Sequence, residues 1–486
     1  MTTLKVSNPE LLRRSSYISG HWLVDSDSTY PVTNPATGAV ICRVTDHGIP
    51  ETQKAILAAE KALPQWRERS AKERAQILRR WYDLILENCE DLARILTAEQ
   101  GKVFEESRGE IDYGASYIEW FSEEAKRICG DIIAPPSADK RILVIKQPVG
   151  VVAAITPWNF PIAMIARKVA PALAAGCTVV AKPAEDTPLS CLALAYLGAE
   201  AGIPDGVFNV ICGLDSAAIG QELTSNPVVR KVTFTGSTAV GKTLLAQSAA
   251  TVKKVSMELG GNAPLIIFDD ADLDLAIRGA MISKFRNAGQ TCVCSNRLFV
   301  QEGIYDDFLK RLVHEVENLV VGEGMAEGVD IGPLIHQKAV AGVHDKVIDA
   351  VAHGARVLIG GDVDELGPSF YQPTVLAGVV PSMRLFNEEI FGPVAPVFKF
   401  RDESEVLALA NASESGLAAY CYTSDMSRCF RMAERLEYGM VGINDGALSN
   451  EMAPFGGIKE SGLGREGSRY GIDDYLEIKY VSFGGV

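Results

Sequence analysis

Five short apolar segments alternate with helical segments between residues 148 and 258, and this alternation limits the fold more than any other feature of the chain. Strands and helices in this order form right-handed βαβ units, so we expect a parallel sheet with helices on both faces. Ligands of such sheets bind beyond the carboxyl ends of the strands. The predicted strands are Val151–Thr156, Thr178–Lys182, Val207–Ile211, Lys231–Thr235 and Lys254–Glu258, and the helices between them are Ile162–Ala175, Pro188–Ala201, Ser216–Leu223 and Thr238–Ala249.

The segments on either side of this sheet extend the predicted architecture. Residues 50 to 127 have helical periodicity, most clearly Ala71–Gln100, and a second α/β pattern runs from Pro264–Phe268 to about Asn444. Segments 131–147 and 475–483 alternate with period two, as strands do. Because exposed strand edges pair readily with another chain, these segments form an assembly element or, alternatively, a hairpin that closes on its own domain. With 486 residues, the chain is long enough for two or three domains.

Composition excludes several classes of function. The net charge of −15 argues against nucleic acid as the main partner, although a few arginines in a pocket still allow an anionic small molecule. The ten cysteines contain no CxxC pair, so we expect neither a structural metal site nor a disulfide framework. Free thiols suit a reducing cytoplasm. No apolar run reaches the roughly 18 residues of a membrane span, and the first 14 residues lack an apolar signal core, so we expect a cytoplasmic location.

Cys292 is the first candidate catalytic residue, in a segment without histidine that runs from Asn287 to Arg297. A Cys/His hydrolase stays open, because its partners need only meet in space. The nearest acidic candidate is Glu258, at the end of a predicted strand. A thiol and a carboxylate without an adjacent base favour covalent catalysis, in which the thiolate attacks first and the carboxylate later activates water.

A phosphate-loop pattern supports a rival interpretation. Residues Gly236–Thr243 read GSTAVGKT, which satisfies GxxxxGK[ST], and Leu265–Asp269 could serve as the magnesium-binding strand. A P-loop ATPase is therefore an alternative, although its loop would be the fourth βα turn of the sheet. The same glycines also allow backbone N–H groups at a helix start to bind a diphosphate. A non-catalytic binding protein is a third alternative, but it would not require Cys292 and Glu258 together.

Seven motifs, in order, resemble those of the aldehyde dehydrogenase superfamily, and the resemblance covers about residues 18 to 486. The motifs are TPWNFP at 156–161, KPAE at 182–185, FTGST at 234–238, MELGG at 257–261, GQTC at 289–292, EEIFGP at 388–393 and PFGG at 454–457. Within the superfamily, the segments KFRNAGQTCVCSNR and PFGGIKESGLGREGSRYGIDDYLEIKY are most similar to succinate-semialdehyde dehydrogenases.

The resemblance implies a fold and a division into domains. The fold is an α/β aldehyde dehydrogenase fold, with a Rossmann-type parallel-sheet cofactor domain, a second α/β catalytic domain and a small β oligomerisation element. Residues 1–126 and 148–258 would form the NAD-binding domain, 259–460 the catalytic domain, and 127–147 with 461–486 the oligomerisation element. A homotetramer built as a dimer of dimers is what the family implies.

The resemblance also implies a mechanism. Cys292 would attack the aldehyde to form a thiohemiacetal, and the Asn159 amide with the Cys292 backbone N–H would hold the oxyanion, at about 3–4 kcal/mol per donor. Hydride transfer to NAD would leave a thioester, and Glu258 would then activate the water that hydrolyses it. By sequence alone, a helix N-cap role is favoured for Asn159, and only the family resemblance reverses this; for Glu258, an ion-pair partner at a strand end is the alternative role.

The family's cofactor residues correspond to Thr156, Trp158, Lys182, Glu185, Gly236, Ser237, Leu259, Glu389 and Phe391. Of these, Glu185 bears on the choice of dinucleotide. A carboxylate accepts hydrogen bonds from ribose hydroxyls but repels a 2′-phosphate, so we predict NAD, with NADP less favoured. The alternative is a solvated Glu185, like its neighbour Asp186.

The substrate side depends on Arg167, Arg286, Ser449 and Phe455. Two guanidinium groups suit a distal carboxylate, and related semialdehyde dehydrogenases use residues at these positions. We therefore expect oxidation of succinate semialdehyde to succinate. Glutarate semialdehyde is the nearest alternative, because one methylene in a pocket changes binding by only about 1–3 kcal/mol. Surface ion pairing is the ordinary alternative for both arginines.

Cys294 lies two residues after the candidate nucleophile, which brings the two Cα atoms near the separation that a disulfide favours. We hypothesise that oxidation joins Cys292 to Cys294 and reversibly inactivates the enzyme. A small packing residue is the alternative role for Cys294.

Overall fold

The computed structural model describes residues 4–24, 26 and 28–486; residues 1–3, 25 and 27, which belong to the first predicted domain, lie outside the described residues. The α-helices are α1 Ile49–Glu68, α2 Ala71–Glu87, α3 Cys89–Gln100, α4 Phe104–Glu124, α5 Pro161–Ala175, α6 Pro188–Glu200, α7 Ser216–Ser225, α8 Thr238–Ser248, α9 Leu273–Phe285, α10 Tyr305–Glu317, α11 Gln337–Ala352, α12 Arg384–Asn387, α13 Glu403–Asn411, α14 Met426–Arg435 and α15 Ser468–Gly471. Short 3-10 helices occupy Pro9–Leu11, Ala125–Arg127, Ala249–Thr251, Arg286–Gly289 and Asp473–Tyr475.

The strands follow the same chain order. They are β1 Tyr17–Ile18, β2 His21–Trp22, β3 Thr29–Thr33, β4 Val40–Thr45, β5 Asp131–Ile133, β6 Lys140–Pro148, β7 Val151–Ile155, β8 Thr178–Lys182, β9 Phe208–Val210, β10 Val229–Thr235, β11 Lys254–Glu258, β12 Ala263–Ile267, β13 Ser295–Gln301, β14 Arg356–Ile359, β15 Thr374–Ala377, β16 Val394–Phe400, β17 Ser415–Gly416, β18 Ala418–Tyr422, β19 Met440–Ile443, β20 Ile458–Lys459, β21 Gly462–Leu463 and β22 Leu476–Gly484.

The first sheet contains the parallel strands predicted from the sequence. Its order across the described residues is β2-β1-β9-β8-β7-β10-β11-β21, and the five strands from β9 to β11 are mutually parallel. Strand order reverses between β7 and β10, which are neighbours although β8 and β9 lie between them in the chain. A crevice at such a switch point, beyond the carboxyl ends of the strands, is where this fold class binds ligands.

Helix α5 explains how the chain after β7 is held in place. Pro161 starts the helix, where its missing N–H costs nothing, and Gly176 ends it with a φ of 95°. Every residue of α5 is buried, because the helix packs against α4 on one side and the first sheet on the other. The loop that contains Trp158 and Asn159 is therefore fixed between a buried strand and a buried helix.

A second sheet has the order β14-β15-β16-β13-β12-β18-β19, and its strands contribute to a large hydrophobic core. Its strands are parallel except β14, which pairs antiparallel with β15. This topology removes the P-loop interpretation. Strand β12, whose Asp269 end was the candidate magnesium strand, lies in this sheet, whereas β10 and the GSTAVGKT turn lie in the other. Lys242 of that turn instead pairs with Glu460 at 2.7 Å.

A small third sheet, in the order β22-β6-β5, is antiparallel and largely exposed. Ile132 is 84% exposed and Ile478 is 72% exposed. Residues 461–486, predicted as part of the oligomerisation element, do not all lie in this sheet. Strand β21 instead extends the first sheet by pairing with β11. In the described part of the chain, no helix is both long enough and apolar enough to cross a membrane.

Candidate active site

Cys292 lies in a loop between α9 and β13 that depends on left-handed backbone. Asn287, Ala288 and Gly289 have φ values of 51°, 54° and 75°, so the chain reverses direction just before the cysteine. The backbone of Gly261 lies so close to Cys292 that a Cβ at residue 261 would stand 2.0 Å from the Cys292 carbonyl oxygen. The loop therefore holds Cys292 at a fixed place, where it lines two cavities.

The first of these, which we call the arginine cavity, has a volume of about 310 Å³ and is mainly apolar apart from its charged groups. All four residues predicted for the substrate side line it, namely Arg167, Arg286, Ser449 and Phe455. Phe160, Met164 and Cys292 belong to both cavities. The arginine cavity can therefore bring a small anionic molecule to the thiol.

The second, which we call the glycine cavity, has a volume of about 260 Å³ and lies beyond the carboxyl ends of β7, β10 and β11. This is the switch-point position predicted for a ligand of the sheet. The rings of Trp158 and Phe391 meet there edge to face, with their centroids 5.6 Å apart. The predicted residues that line the cavity are Trp158, Asn159, Gly236, Ser237, Leu259, Glu389 and Phe391.

Asn159 and the Cys292 backbone supply two N–H donors beside the thiol. The Asn159 side-chain amide donates to the Gln290 carbonyl at 3.0 Å, and an amide nitrogen has a second N–H to donate. Among the described residues, the Cys292 backbone N–H has no acceptor. Donors fixed in advance next to a nucleophile can stabilise a developing oxyanion.

The thiol itself is protonated at neutral pH in this environment. Burial, followed by the negative charge of Glu389, raises the pKa of Cys292 to about 12, and Arg167 offsets part of that rise. The nucleophile therefore forms only when a proton acceptor or an additional positive charge reaches the site.

Glu258 ends β11 as one member of a buried carboxyl pair; it lines neither cavity, but its charge acts on the Cys292 thiol. Neither of its oxygens has a hydrogen-bond partner among the described residues. Burial, then the charge of Glu466, raises the pKa of the Glu258 carboxyl well above its usual range. Burial also opposes ionisation of Glu466, but Lys168 and Arg167 hold its pKa below the usual range. Within the pair, ionisation is therefore disfavoured at Glu258 and favoured at Glu466.

The two arginines of the arginine cavity differ in their partners. Arg167 Nε lies 2.5 Å from Glu466 Oε2, and its guanidinium covers the ring of Phe455 at 4.0 Å. Arg286 has no ion-pair or hydrogen-bond partner among the described residues and lies 5.4 Å from the ring of Phe160. The charge of Arg167 is therefore largely compensated, whereas that of Arg286 is available to a ligand.

Comparison with known proteins identifies the family. Residues 22–481 match the model of the aldehyde dehydrogenase family. This chain belongs to the aldehyde dehydrogenase family. It is 58% identical to a protein named 3-sulfolactaldehyde dehydrogenase from Pseudomonas putida, over 99% of both chains. It is also 58% identical to a glutarate-semialdehyde dehydrogenase from Pseudomonas aeruginosa PAO1, over 99% of this chain and 100% of the relative.

A third relative and a solved structure agree with these. The chain is 58% identical to a succinate-semialdehyde dehydrogenase (NADP+), GabD, from Escherichia coli K12, over 99% of this chain and 100% of the relative. A crystal structure described as an E. coli NADP-dependent enzyme has 58% identity and a TM-score of 0.98, covering 99% and 100% of the two chains. The predicted superfamily and fold class are therefore confirmed, and this aldehyde dehydrogenase uses NAD or NADP.

The residues of the glycine cavity fit a dinucleotide. Gly236 and Ser237 line the cavity and Ser237 is the N-cap of α8, so the start of a helix, where backbone N–H groups can bind an anion, borders the cavity. The buried Thr156 hydroxyl lacks a partner among the described residues. One oxygen of Glu389 accepts from the Gly261 N–H at 3.2 Å, which leaves the other for a ribose hydroxyl.

Lys182 and Glu185 lie at the carboxyl end of β8, outside the glycine cavity but next to the strand that borders it. Lys182 Nζ lies 3.1 Å from Glu185 and 2.6 Å from the Ser216 hydroxyl, which itself donates to Glu185 at 2.9 Å. Although burial opposes it, Lys182 holds the pKa of the Glu185 carboxyl below its usual range. A half-buried, ionised carboxylate thus stands at the adenosine end of the predicted cofactor path.

Cys294 points away from solvent, with only 1% of its surface exposed. Its thiol accepts a hydrogen bond from Lys284 Nζ at 3.1 Å. Burial raises the pKa of the Cys294 thiol, and Lys284 partly offsets that rise. A Cys292–Cys294 disulfide stays a prediction, and it requires Cys294 to turn away from Lys284.

The sequence analysis missed the residues that α4 contributes to the arginine cavity. Glu106, Glu110 and Tyr113 all line it. Their spacing of four and three places them on one face of a helix, and that pattern was the available signal. Lys168 and Glu466 were also missed, because an ion pair across 298 residues leaves no local pattern in the sequence.

Proposed function

We propose that this aldehyde dehydrogenase oxidises a short aldehyde with an anionic group at its far end, preferring succinate semialdehyde as substrate and NAD as oxidant. The single observation that carries this proposal is the unpaired guanidinium of Arg286 in a cavity of about 310 Å³ that also exposes Cys292. Guanidinium–carboxylate bonds are charge-assisted, so they select and orient a carboxylate over a neutral group.

The names of the relatives support the same chemistry. Succinate and glutarate semialdehydes each carry a carboxylate opposite the aldehyde, and 3-sulfolactaldehyde carries a sulfonate. The shared feature is an anion at the end remote from the reacting carbon. Glutarate semialdehyde remains the second candidate substrate, because one added methylene changes binding by only about 1–3 kcal/mol.

In the proposed mechanism, Cys292 loses its thiol proton to solvent water, and the thiolate attacks the aldehyde carbon to form a thiohemiacetal oxyanion. The Asn159 amide and the Cys292 backbone N–H then hold the oxyanion, each contributing about 3–4 kcal/mol. When bound in the glycine cavity, oxidised NAD supplies a hydride acceptor with a positively charged ring. The oxidised carbon is left as a thioester on Cys292.

Hydrolysis of the thioester is assigned to Glu258. Once ionised, its carboxylate can remove a proton from water, and the free carboxylic acid and the Cys292 thiol are the products of that step. Burial, and then the charge of Glu466, raises the pKa of Glu258, which makes its carboxylate a stronger base once it has lost its proton. Lys168, which donates to Glu466 and to the Thr235 hydroxyl, balances the buried charge.

The preference for NAD is assigned to Glu185. Its carboxylate can accept both hydroxyls of an adenosine ribose, whereas a 2′-phosphate at the same place would bring two anions together. Lys182 stands beside it and could offset part of this repulsion. NADP is therefore the less favoured cofactor, not an excluded one.

For the architecture, we propose a cofactor domain of residues 1–126 and 148–258, a catalytic domain of 259–460 and an oligomerisation element of 127–147 and 461–486. The exposed apolar residues of the β22-β6-β5 sheet support a role in assembly, because an open sheet with Ile132, Ile478 and Tyr480 outward is suited to pairing with a second chain. A dimer of dimers is the assembly we propose.

The test is a panel of aldehydes followed through the absorbance of the reduced cofactor. Succinate semialdehyde, glutarate semialdehyde and butanal are each assayed with NAD and with NADP. The proposal expects kcat/KM to be highest for succinate semialdehyde with NAD and lowest for butanal. Equal values for the charged and uncharged aldehydes would contradict it.

A further inference from the structure

Lys102 is a buried charge that the reaction itself does not use. It lies in the turn between α3 and α4, with its side chain fully buried. Its Nζ lies 2.6 Å from Glu110 Oε2 and 2.7 Å from the backbone carbonyl oxygen of Asn159. Burying an ion pair gives little net stability, since apolar residues of similar volume often serve as well. The ion pair is better explained by the backbone groups that it holds in place.

Glu110 also binds the backbone at the start of α5. Its second carboxylate oxygen accepts the backbone N–H groups of Ile162 at 2.9 Å and Ala163 at 3.2 Å. These are amides of the first helical turn, which have no partner within the helix. A single ion pair therefore binds the backbone carbonyl of Asn159, two residues before α5, and the free amides at the start of the helix.

A second donor fixes the same carbonyl. Asn287 Nδ2 donates to the Asn159 carbonyl oxygen at 3.1 Å, and Gln100 Nε2 in turn holds Asn287 Oδ1 at 3.1 Å. The Asn159 side-chain amide then bonds the Gln290 carbonyl. With the backbone and one amide hydrogen fixed, the direction of the remaining amide hydrogen is set as well.

We propose that the Lys102–Glu110 ion pair is a positioning device for the Asn159 amide, acting through the Asn159 backbone. The proposal rests on the oxyanion role of Asn159 given above. Lys102 touches neither substrate nor cofactor in this account, so it is a positioning residue. A displacement of about 1 Å in such a group can lower a rate on the order of 100-fold. Loss of Lys102 should therefore act on the chemical step and leave aldehyde binding by Arg286 intact.

The experiment measures acylation of Cys292 by p-nitrophenyl acetate, which needs the oxyanion donors but neither NAD nor a semialdehyde. Wild type, Lys102→Met, Asn159→Ala and the double variant form a double-mutant cycle. We expect Lys102→Met to slow acylation roughly 10- to 100-fold in the wild-type background. In the Asn159→Ala background we expect the same substitution to change the rate by no more than about threefold, because the group it positions is gone.

Lys253→Met is the matched control. Lys253 Nζ also donates to two backbone carbonyls, those of Asn226 at 2.5 Å and Val229 at 2.6 Å, but outside both cavities. This variant should acylate at the wild-type rate. Glu110→Gln keeps an acceptor for the α5 amides while removing the charge opposite Lys102. If Lys102→Met does not fold, Glu110→Gln replaces it in the double-mutant cycle.

The outcomes distinguish failure of the positioning role of Lys102 from failure of the oxyanion role of Asn159. Equal losses from Lys102→Met in both backgrounds, or no loss in the wild-type background, would overturn the positioning role while leaving Asn159 as an oxyanion donor. Normal acylation by Asn159→Ala would instead overturn the oxyanion role, and the positioning role with it. Unchanged KM for succinate semialdehyde in Lys102→Met, with lowered kcat, is the accompanying result we expect.

Discussion

Arg167 is ion-paired to Glu466 across 2.5 Å, which leaves Arg286 as the guanidinium of the arginine cavity without a partner among the described residues. The two arginines, treated as an equivalent pair in the sequence analysis, thus have different surroundings. In the proposed function, Arg286 selects the anionic end of the substrate. Arg167 also compensates a buried carboxylate.

Arg286→Gln should therefore weaken binding of charged aldehydes selectively. Losing a charge-assisted hydrogen bond costs about 1.5–3 kcal/mol, so KM for succinate semialdehyde should rise roughly 10- to 150-fold. KM for butanal, which has no carboxylate, should change little. Steady-state kinetics with both aldehydes checks this, and an equal change in the two KM values would contradict it.

Arg167→Gln should instead reduce stability. It leaves Glu466 with Lys168 as its remaining cation, and breaking a buried pair typically costs about 3–5 kcal/mol. Thermal unfolding of Arg167→Gln beside Arg286→Gln measures the difference. The former should unfold at a clearly lower temperature, and equal melting temperatures would show that the Arg167–Glu466 pair contributes little.

Glu185→Gln should move the cofactor preference toward NADP. Removing the carboxylate relieves repulsion of a 2′-phosphate and loses an acceptor for ribose hydroxyls, so the ratio of kcat/KM for NADP to that for NAD should rise roughly tenfold or more. Asp186→Asn, which removes the neighbouring negative charge outside the Lys182–Ser216 cluster, is the control. The assignment fails if both variants change the ratio equally.

The high pKa of Glu258 predicts how thioester hydrolysis depends on pH. Because burial, and then the charge of Glu466, raises the pKa of this carboxyl, its base form and the hydrolysis rate should increase as pH rises through that raised pKa. Glu258→Gln should keep the initial burst of reduced cofactor but lose the later pH-dependent turnover. Rapid-mixing kinetics from pH 6 to 9 would reveal a flat wild-type profile if the assignment is wrong.

The strand ends illustrate what the sequence alone could predict. Lys182 and Glu258 end β8 and β11 as expected, because short strand segments that alternate with helical segments are a local signal. The stretch Ala71–Gln100 has helical spacing, but periodicity does not mark the break within it, where α2 ends at Glu87 and α3 starts at Cys89. Asn88 bonds the Leu84 carbonyl with its side chain and competes with the helix backbone, which a periodicity argument does not register.

Site residues that belong to local sequence motifs could be predicted from the sequence. Site residues whose partners lie far away in the chain could not. Cys292, Asn159 and Glu389 lie around one cavity, and each belongs to a local sequence motif. Lys102 and Glu466 act through partners 57 and 298 residues away, so only the folded chain shows what they hold.

Oxidation by peroxide tests the role of Cys294. If the two thiols form a disulfide, each peroxide yields two waters and dithiothreitol should restore activity. Cys294→Ala should then be inactivated without recovery, because Cys292 alone proceeds to higher oxides. Burial against Lys284 predicts slow disulfide formation. Identical inactivation and recovery in both proteins would remove Cys294 from the account.

The central claim, that the aldehyde carbon is oxidised while bonded to Cys292, is tested most directly by mass spectrometry of the acyl enzyme. Wild type and Glu258→Gln are mixed with NAD and succinate semialdehyde, quenched in acid during the burst and digested with trypsin, which releases residues 287–297 between Arg286 and Arg297. The account predicts a succinyl group on Cys292 of this peptide, in greater yield in Glu258→Gln. Reduced cofactor formed in the burst with the peptide unmodified would contradict it.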